Sequence, residues 1–258
     1  MDNKIGIALS GGGARGIMHL GVLKALNENG IYPDKLSGSS AGAIVSAFYA
    51  ADYPIADILK IFKETKVFGF SNFNLKKEGL FNLNIIEQTL LKYFPHNYIQ
   101  NLPKEIFITI TDIQNGKAMY LNQGKLSEAL MATSAIPFLF QPVNIQNTVG
   151  VDGGVINNLP IEPLREKCNL LIGSYCNSLH QSTTKLNAAE IIDRSIHLSM
   201  LEIIEQKAKQ CDLFLQAPDM TRYNIFDLNK ADEIFKYAYD YCNSKKENLK
   251  SLLKKIEK

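Results

Sequence analysis

The pentapeptide Gly38-Ser39-Ser40-Ala41-Gly42 lies between an apolar run, 31–36, and a run of small residues, 41–51. It reads Gly-x-Ser-x-Gly, a pattern that places a serine on a sharp turn between a strand and a helix. Glycine on either side of the serine allows the strand and helix backbones to approach closely. We therefore expect a strand–turn–helix unit with Ser40 at its tip.

Alternating strand and helix signals predict an α/β fold around this unit. The run 4–9 is predicted to be a buried strand and 14–29 a helix that Gly30 ends, and the same order repeats through Ser39 and 41–50. This spacing favours a parallel sheet covered by helices. Further strands are predicted at 106–112, 117–121, 170–175 and 213–216. Further helices are predicted at 55–65, 83–94, 126–134, 187–210 and 228–258, the last interrupted near Asn243-Ser244. We expect one three-layer α/β domain over residues 1–258.

Composition excludes several classes of protein. The 258 residues carry 28 basic and 26 acidic side chains, and no basic stripe indicates a nucleic-acid partner. The four cysteines show no Cys-x-x-Cys spacing and no nearby histidine, so we expect reduced thiols and no metal or other cofactor. No signal peptide and no run of about 20 apolar residues is found, which favours the cytoplasm. Oligomeric state does not follow from the sequence.

A glycine cluster, Gly11-Gly12-Gly13, follows the first predicted strand and opens the first predicted helix. Without β-carbons, its amides can turn toward an anion, and the helix dipole favours negative charge there. The transition state of acyl transfer requires such donors for its oxyanion. The cluster is therefore a candidate oxyanion hole, with Arg15 predicted to brace the loop.

The same glycines allow a second interpretation. Gly11-x-Gly13-x-x-Gly16, after a strand and before a helix, fits a dinucleotide-binding fingerprint. That fingerprint requires an acidic residue at the end of the second strand. Here the strand ends at Ser39, and the nearest acidic residues, Glu28 and Asp34, precede it. The dinucleotide hypothesis is therefore the weaker one.

The base that activates Ser40 has two candidate sources. A Ser-His-Asp triad of the α/β-hydrolase type would use His180 or His197, whereas His19 and His96 are predicted to lie in the first helix and in a solvated turn. Asp152 is the better candidate, because the apolar run 149–151 precedes it and two glycines, Gly153 and Gly154, follow it. An aspartate becomes a useful base where a water-poor site raises its pKa.

Three motifs in order resemble those of the patatin-like phospholipases, serine lipid acyl hydrolases with a Ser-Asp dyad. They are Gly11-Gly12-Gly13-Ala14-Arg15-Gly16, Gly38-Ser39-Ser40-Ala41-Gly42 and Asp152-Gly153-Gly154. The stretches 132–138 and 157–160 are also similar to segments of this family. The resemblance covers residues 4–175, whereas the helical part 187–258 carries no motif.

The resemblance implies specific roles. Ser40 would be the nucleophile and Asp152 its base, Gly11, Gly12 and Gly13 would form the oxyanion hole, and the remaining motif residues, Arg15, Gly38, Gly42, Gly153 and Gly154, would support them. The substrate would be a lipid or fatty-acyl ester, hydrolysed through an acyl-serine.

An aromatic segment, 67–73, contains three phenylalanines beside Lys66. Two interpretations stay open for it. It is either a lid or loop that touches a membrane surface transiently, or part of the core.

Overall fold

A mixed sheet lies at the centre of the protein, in a computed structural model that describes residues 4–64, 84–179 and 188–256. Its order is β5-β6-β3-β2-β1-β7-β8, with β4 on the free side of β3. Strands β3, β2, β1, β7 and β8 are parallel, and β4, β5 and β6 make the antiparallel end. The strands are β1 Ile5–Leu9, β2 Lys35–Ser39, β3 Glu105–Asp112, β4 Lys117–Leu121, β5 Val143–Ile145, β6 Thr148–Asp152, β7 Leu170–Ser174 and β8 Leu213–Leu215.

Helices follow the strands much as the sequence predicts. They are α1 Met18–Glu28, α2 Ala41–Ala50, α3 Ile55–Glu64, α4 Asn84–Tyr93, α5 Leu126–Thr133, α6 Ala188–Ser199, α7 Leu201–Ala208, α8 Ala231–Ser244 and α9 Lys246–Ile256. The prediction of one helix over 187–210 was wrong, because Met200 separates α6 from α7. A 3₁₀ turn, Gly13–Ile17, precedes α1. No helix in the described ranges is long and apolar enough to cross a membrane.

The strands send alternate side chains to two separate cores. In β1, Ile7 and Leu9 join the larger core, while Ala8 faces the smaller one. In β3, Ile106 and Ile108 face the larger core and Phe107 the smaller. This two-residue period is what buried strands impose. With helices on both faces of a mainly parallel sheet, the predicted three-layer α/β class is confirmed.

Two strands share one edge of β3 and meet end to end. β2 runs parallel to β3, with Ser39 opposite Thr109, whereas β6 runs antiparallel, with Asp152 opposite Ile110. The other edge of β3 is occupied by β4, so β2 and β6 must lie on the same side. The carboxyl ends of β2 and β6 therefore converge, and the residues that follow them become neighbours.

Candidate active site

Ser40 lies on a strained turn between β2 and α2. Its φ of 50° and ψ of −122° are unusual for a residue with a side chain, and such backbone strain costs about 1–3 kcal/mol. A β-carbon on Gly38 would lie 2.4 Å from the Ala43 nitrogen, and one on Gly42 would lie 2.2 Å from the Leu9 carbonyl oxygen. Only glycine fits at either position, as the predicted turn requires.

A threonine holds the Ser40 backbone in place. The Ser40 amide donates to Thr133 Oγ1 at 2.8 Å, and the Thr133 hydroxyl donates to the Thr109 carbonyl at 2.5 Å. Thr133 ends α5 and is fully buried. The sequence alone does not indicate this role of Thr133, because only the fold brings α5 beside the turn.

Asp152 ends β6 and is fixed through its backbone and its side chain. Its amide donates to the Ala135 carbonyl at 3.0 Å, and its Oδ1 accepts from the Gly154 amide at 2.7 Å. A β-carbon on Gly153 would lie 2.2 Å from the Thr109 carbonyl oxygen. Gly153 thus allows the turn to pack against β3, and Gly154 supplies a hydrogen bond to the carboxylate.

The structure brings Asp152 and Ser40 together. Burial raises the pKa of the Asp152 carboxyl from its ordinary value to about 6, although hydrogen bonds from the Ser40 hydroxyl and the Gly154 amide each lower it. Burial dominates because an ionised carboxylate loses its hydration. A carboxyl that titrates near neutral pH and contacts a serine hydroxyl is suited to accept the serine's proton.

The glycine loop lies beside this pair, but its three amides are not equivalent. The Gly11 amide donates to Asn158 Oδ1 at 2.9 Å and to the Asn158 carbonyl at 3.3 Å. Within the described residues, the amides of Gly12 and Gly13 have no acceptor. Gly13 has a left-handed φ of 57°. Of the three amides of the predicted oxyanion hole, the Gly11 amide thus has acceptors within the protein, whereas the Gly12 and Gly13 amides can donate to a ligand.

Neighbouring residues complete the loop. The buried Arg15 donates its amide to the Gly12 carbonyl at 3.1 Å, which closes the turn. A β-carbon on Gly16 would lie 2.5 Å from Ala41 Cβ, so this glycine allows close packing on the start of α2. Gly11 and Gly16 thus pack against the Ser40 turn and the start of α2, an arrangement that favours the acyl-transfer interpretation over the dinucleotide one.

Three histidines lie in the described residues, and none affects the pKa of Asp152. His19 is buried, with its ring nitrogens 2.8 Å from the Ser174 hydroxyl and the Ser10 carbonyl, and burial lowers its pKa to about 4. His96 is exposed in a turn, and His197 is buried on α6. His180 lies outside the described residues, as does the aromatic segment 67–73. No metal-binding cluster of His, Cys, Asp or Glu occurs in the part that the structure describes.

Comparison with known proteins extends these observations. The model of the patatin-like phospholipase family matches residues 7–165. A protein named lysophospholipase NTE1 from Candida glabrata is 27% identical over an alignment of 272 residues, gaps included. The alignment covers 92% of this chain and 16% of that protein. An uncharacterized NTE family protein of Mycobacterium bovis is 31% identical over 158 residues. This alignment covers 60% of this chain and 27% of the length of the Mycobacterium bovis protein. The chain thus spans less than a third of the length of these relatives.

A solved structure shares the fold. VipD from Legionella pneumophila aligns with a TM-score of 0.53 and 15% identity, covering 97% of this chain and 67% of that one. At this identity the likeness concerns the fold alone. The family match includes all three motifs, from the glycine loop through Ser40 to Asp152. The chain belongs to the patatin-like phospholipase family.

Proposed function

We propose that this protein hydrolyses carboxylic esters of lipids, with Ser40 as nucleophile and Asp152 as its base. One observation carries the proposal: a serine on a strained turn touches a buried carboxyl whose pKa is raised to about 6. A serine hydroxyl is a weak nucleophile until a neighbouring base accepts its proton. The family match supports the same roles.

The first step forms an acyl-serine. Ser40 Oγ attacks the ester carbonyl carbon while its proton passes to Asp152. The Gly12 and Gly13 amides donate to the oxyanion, which is most negative in the transition state. The bond to the leaving alcohol then breaks, and the proton on Asp152 passes to the departing oxygen.

The second step releases the fatty acid. Asp152, ionised again, takes a proton from a water molecule as that water attacks the acyl carbonyl. The Oγ–carbonyl bond breaks, and the proton returns to Ser40. Both steps use the same carboxylate and the same two amides, so the site needs no further charged group for the reaction.

The proposed substrate class is a single-chain phospholipid ester. The Candida glabrata relative is named a lysophospholipase, and this chain matches 16% of its length. A product assay over p-nitrophenyl esters of graded length, lysophospholipids and two-chain phospholipids tests the proposal. Release of fatty acid from a lysophospholipid supports it. Failure to cleave any of these esters would refute it.

The activity is expected to fall in acid with an apparent pKa near 6. Asp152 accepts a proton only when ionised, and burial holds its pKa at about 6. The logarithm of kcat/KM should therefore be flat above pH 7 and fall with unit slope below pH 6. An apparent pKa near 4 in this pH profile would mean that a carboxyl with an ordinary pKa controls the rate.

Exposed apolar side chains flank the Asp152 turn and suit an acyl chain. Phe138 is 85% exposed although it is aromatic, and it lies three residues after Ala135, whose carbonyl accepts the Asp152 amide. Val155 and Ile156, which follow the Gly153-Gly154 turn, are also exposed. Exposed apolar groups beside a site indicate a contact for an apolar ligand. We propose that these side chains contact the lipid.

Phe138→Asn is expected to impair hydrolysis of aggregated lipid selectively. Phe138 has a left-handed φ of 71°, and asparagine tolerates that conformation, so the change removes the ring without adding strain. KM for micellar lysophospholipid should rise several-fold, while kcat/KM for p-nitrophenyl acetate stays unchanged. Tyr32→Asn, at a surface position that is 59% exposed, is the matched control. Equal effects on both substrates would contradict a lipid contact.

A further inference from the structure

Asn158 has a side-chain donor that the proposed mechanism does not use. We infer that the Asn158 side-chain amide donates a hydrogen bond to the ester group of the bound substrate, as a third donor beside Gly12 and Gly13. The inference rests on the proposed ester hydrolysis and adds a substrate-binding residue to it. Four observations on the described residues support it.

Asn158 lies beside both Ser40 and Asp152. A β-carbon placed on Gly11 would lie 2.7 Å from Asn158 Oδ1 and 3.1 Å from Ser40 Cβ. One placed on Gly154 would lie 3.0 Å from Asn158 Oδ1 and 3.0 Å from Asp152 Oδ1. Each of these two β-carbon positions lies close to Asn158 and to one member of the Ser40–Asp152 pair. The Asn158 side-chain amide therefore lies between the glycine loop and the Asp152 turn.

The orientation of this amide is fixed. The Gly11 amide donates to Oδ1 at 2.9 Å, a shorter hydrogen bond than the one to the Asn158 carbonyl at 3.3 Å, and only the oxygen of the side-chain amide can accept it. The Nδ2 group then points away from Gly11. Nδ2 finds no acceptor among the described residues. It is also not one of their unpaired polar atoms that are completely shielded from solvent, so Nδ2 remains accessible to a ligand. The Asn158 side chain is otherwise buried, with 4% exposure.

A buried lysine holds the segment on both sides of Asn158. Lys207 of α7 donates to Asn157 Oδ1 and, at 2.9 Å, to the Leu159 carbonyl. Its charge is balanced by Glu162 at 2.7 Å. Groups that lose little freedom on binding stabilise a transition state more effectively. Asn158 is thus held rigidly with its Nδ2 donor unused.

The chemistry of Nδ2 selects its ligand. A neutral amide N–H donates to oxygen and carries no charge, so it suits an ester carbonyl that becomes negative during attack. Among the described residues Asp152 is not its partner, since there the Ser40 hydroxyl and the Gly154 amide are the groups that hydrogen-bond to that carboxyl. The loss of one oxyanion donor typically lowers kcat by about 100- to 1,000-fold.

Asn158→Asp tests the inference, because aspartate keeps the acceptor for Gly11 but removes the donor and adds a negative charge. We expect kcat to fall at least about 100-fold with KM changed less than threefold. The new carboxylate beside Asp152 should also raise the Asp152 pKa, so the acidic limb moves to higher pH. Asn144→Asp, at an exposed position on β5, adds the same charge and should change neither value. An unchanged kcat in the folded Asn158→Asp variant would overturn the inference.

A second measurement does not depend on the variant folding. In a crystal structure of the wild-type protein with a fluorophosphonate on Ser40, the phosphoryl oxygen stands in for the oxyanion. We expect this oxygen about 3 Å from Asn158 Nδ2. A phosphoryl oxygen bonded only to Gly12 and Gly13 would overturn the inference and leave the proposed function intact. A wild-type protein that neither cleaves esters nor reacts with the probe would overturn both.

Discussion

Asp152→Asn is expected to lower kcat for ester hydrolysis by about 10⁴-fold while leaving the fold intact. Loss of the acid in a serine hydrolase site has an effect of this order, because the nucleophile keeps its proton. Asparagine preserves the shape of the side chain and the acceptor for the Gly154 amide, which donates to Oδ1 at 2.7 Å. Steady-state kinetics at pH 8 measures the loss.

The same substitution should stabilise the protein at pH 8. Burial raises the pKa of Asp152 to about 6 in the folded state, so stability from this group is present at low pH and declines as the pH rises through 6. Asparagine is uncharged like the protonated acid and keeps that stability. A shift of about 2 pKa units corresponds to up to about 3 kcal/mol. Urea denaturation should show the full gain at pH 8 and about half of it at pH 5, because the contribution declines between the ordinary pKa of 3.8 and the folded-state pKa of about 6.

Comparison with other variants makes the result for Asp152→Asn decisive. Ser40→Ala should lose activity to the same extent, and the double variant should lose no more, because the two residues act as a unit. Asp57→Asn, at an exposed position on α3, should change neither activity nor stability. Full activity of Asp152→Asn, together with inactivity of His180→Ala or His197→Ala, would instead establish a Ser-His-Asp triad.

Gly42→Ala is expected to destabilise the protein by about 3 kcal/mol or more. The added β-carbon would lie 2.2 Å from the Leu9 carbonyl oxygen and 2.6 Å from that of Ser10. Both atoms belong to backbone at the end of a central strand, so neither yields as a flexible side chain would. Overpacking of a rigid core costs about 1–3 kcal/mol and sometimes more. Urea denaturation measures the loss.

Gly116→Ala separates this clash from the general effect of replacing glycine. Gly116 has a φ of 63° in the β3–β4 turn, and no atom lies within 4 Å of its position for a β-carbon. Its replacement should cost only the left-handed strain of about 1–2 kcal/mol. If the two variants lost the same free energy of unfolding, the proposed clash between a β-carbon at position 42 and the end of β1 would be contradicted.

Local signals in the sequence predict the elements around Ser40 well. The helix predicted at 41–50 is observed as Ala41–Ala50, because the turn before it has a distinct pattern. The strands predicted at 106–112 and 117–121 are confirmed as β3 and β4, which pair as a hairpin across Asn115-Gly116. By contrast, no local signal predicted β5 and β6 as two separate strands. Their turn uses Gln146 and Asn147 at positive φ and contains no glycine.

The site itself depends on long-range pairing that no local signal contains. Asp152 reaches Ser40 because β2 and β6 end against adjacent residues of β3, a matter of register between distant strands. The contacts of Thr133 and Asn158 arise in the same way. A sequence signal existed for Asn158, since it belongs to an asparagine pair before Leu159-Pro160. The pattern did not indicate that this side chain would occupy the amide of Gly11.

Reaction with a fluorophosphonate, read by peptide mass spectrometry, tests the Ser40–Asp152 dyad. We expect one adduct per chain, on Ser40. Labelling should slow at least about 100-fold in Asp152→Asn and, in the wild type, fall below pH 6 with the ionisation of Asp152. Labelling of another residue, or of Ser40 at an equal rate in Asp152→Asn, would contradict a Ser40–Asp152 dyad.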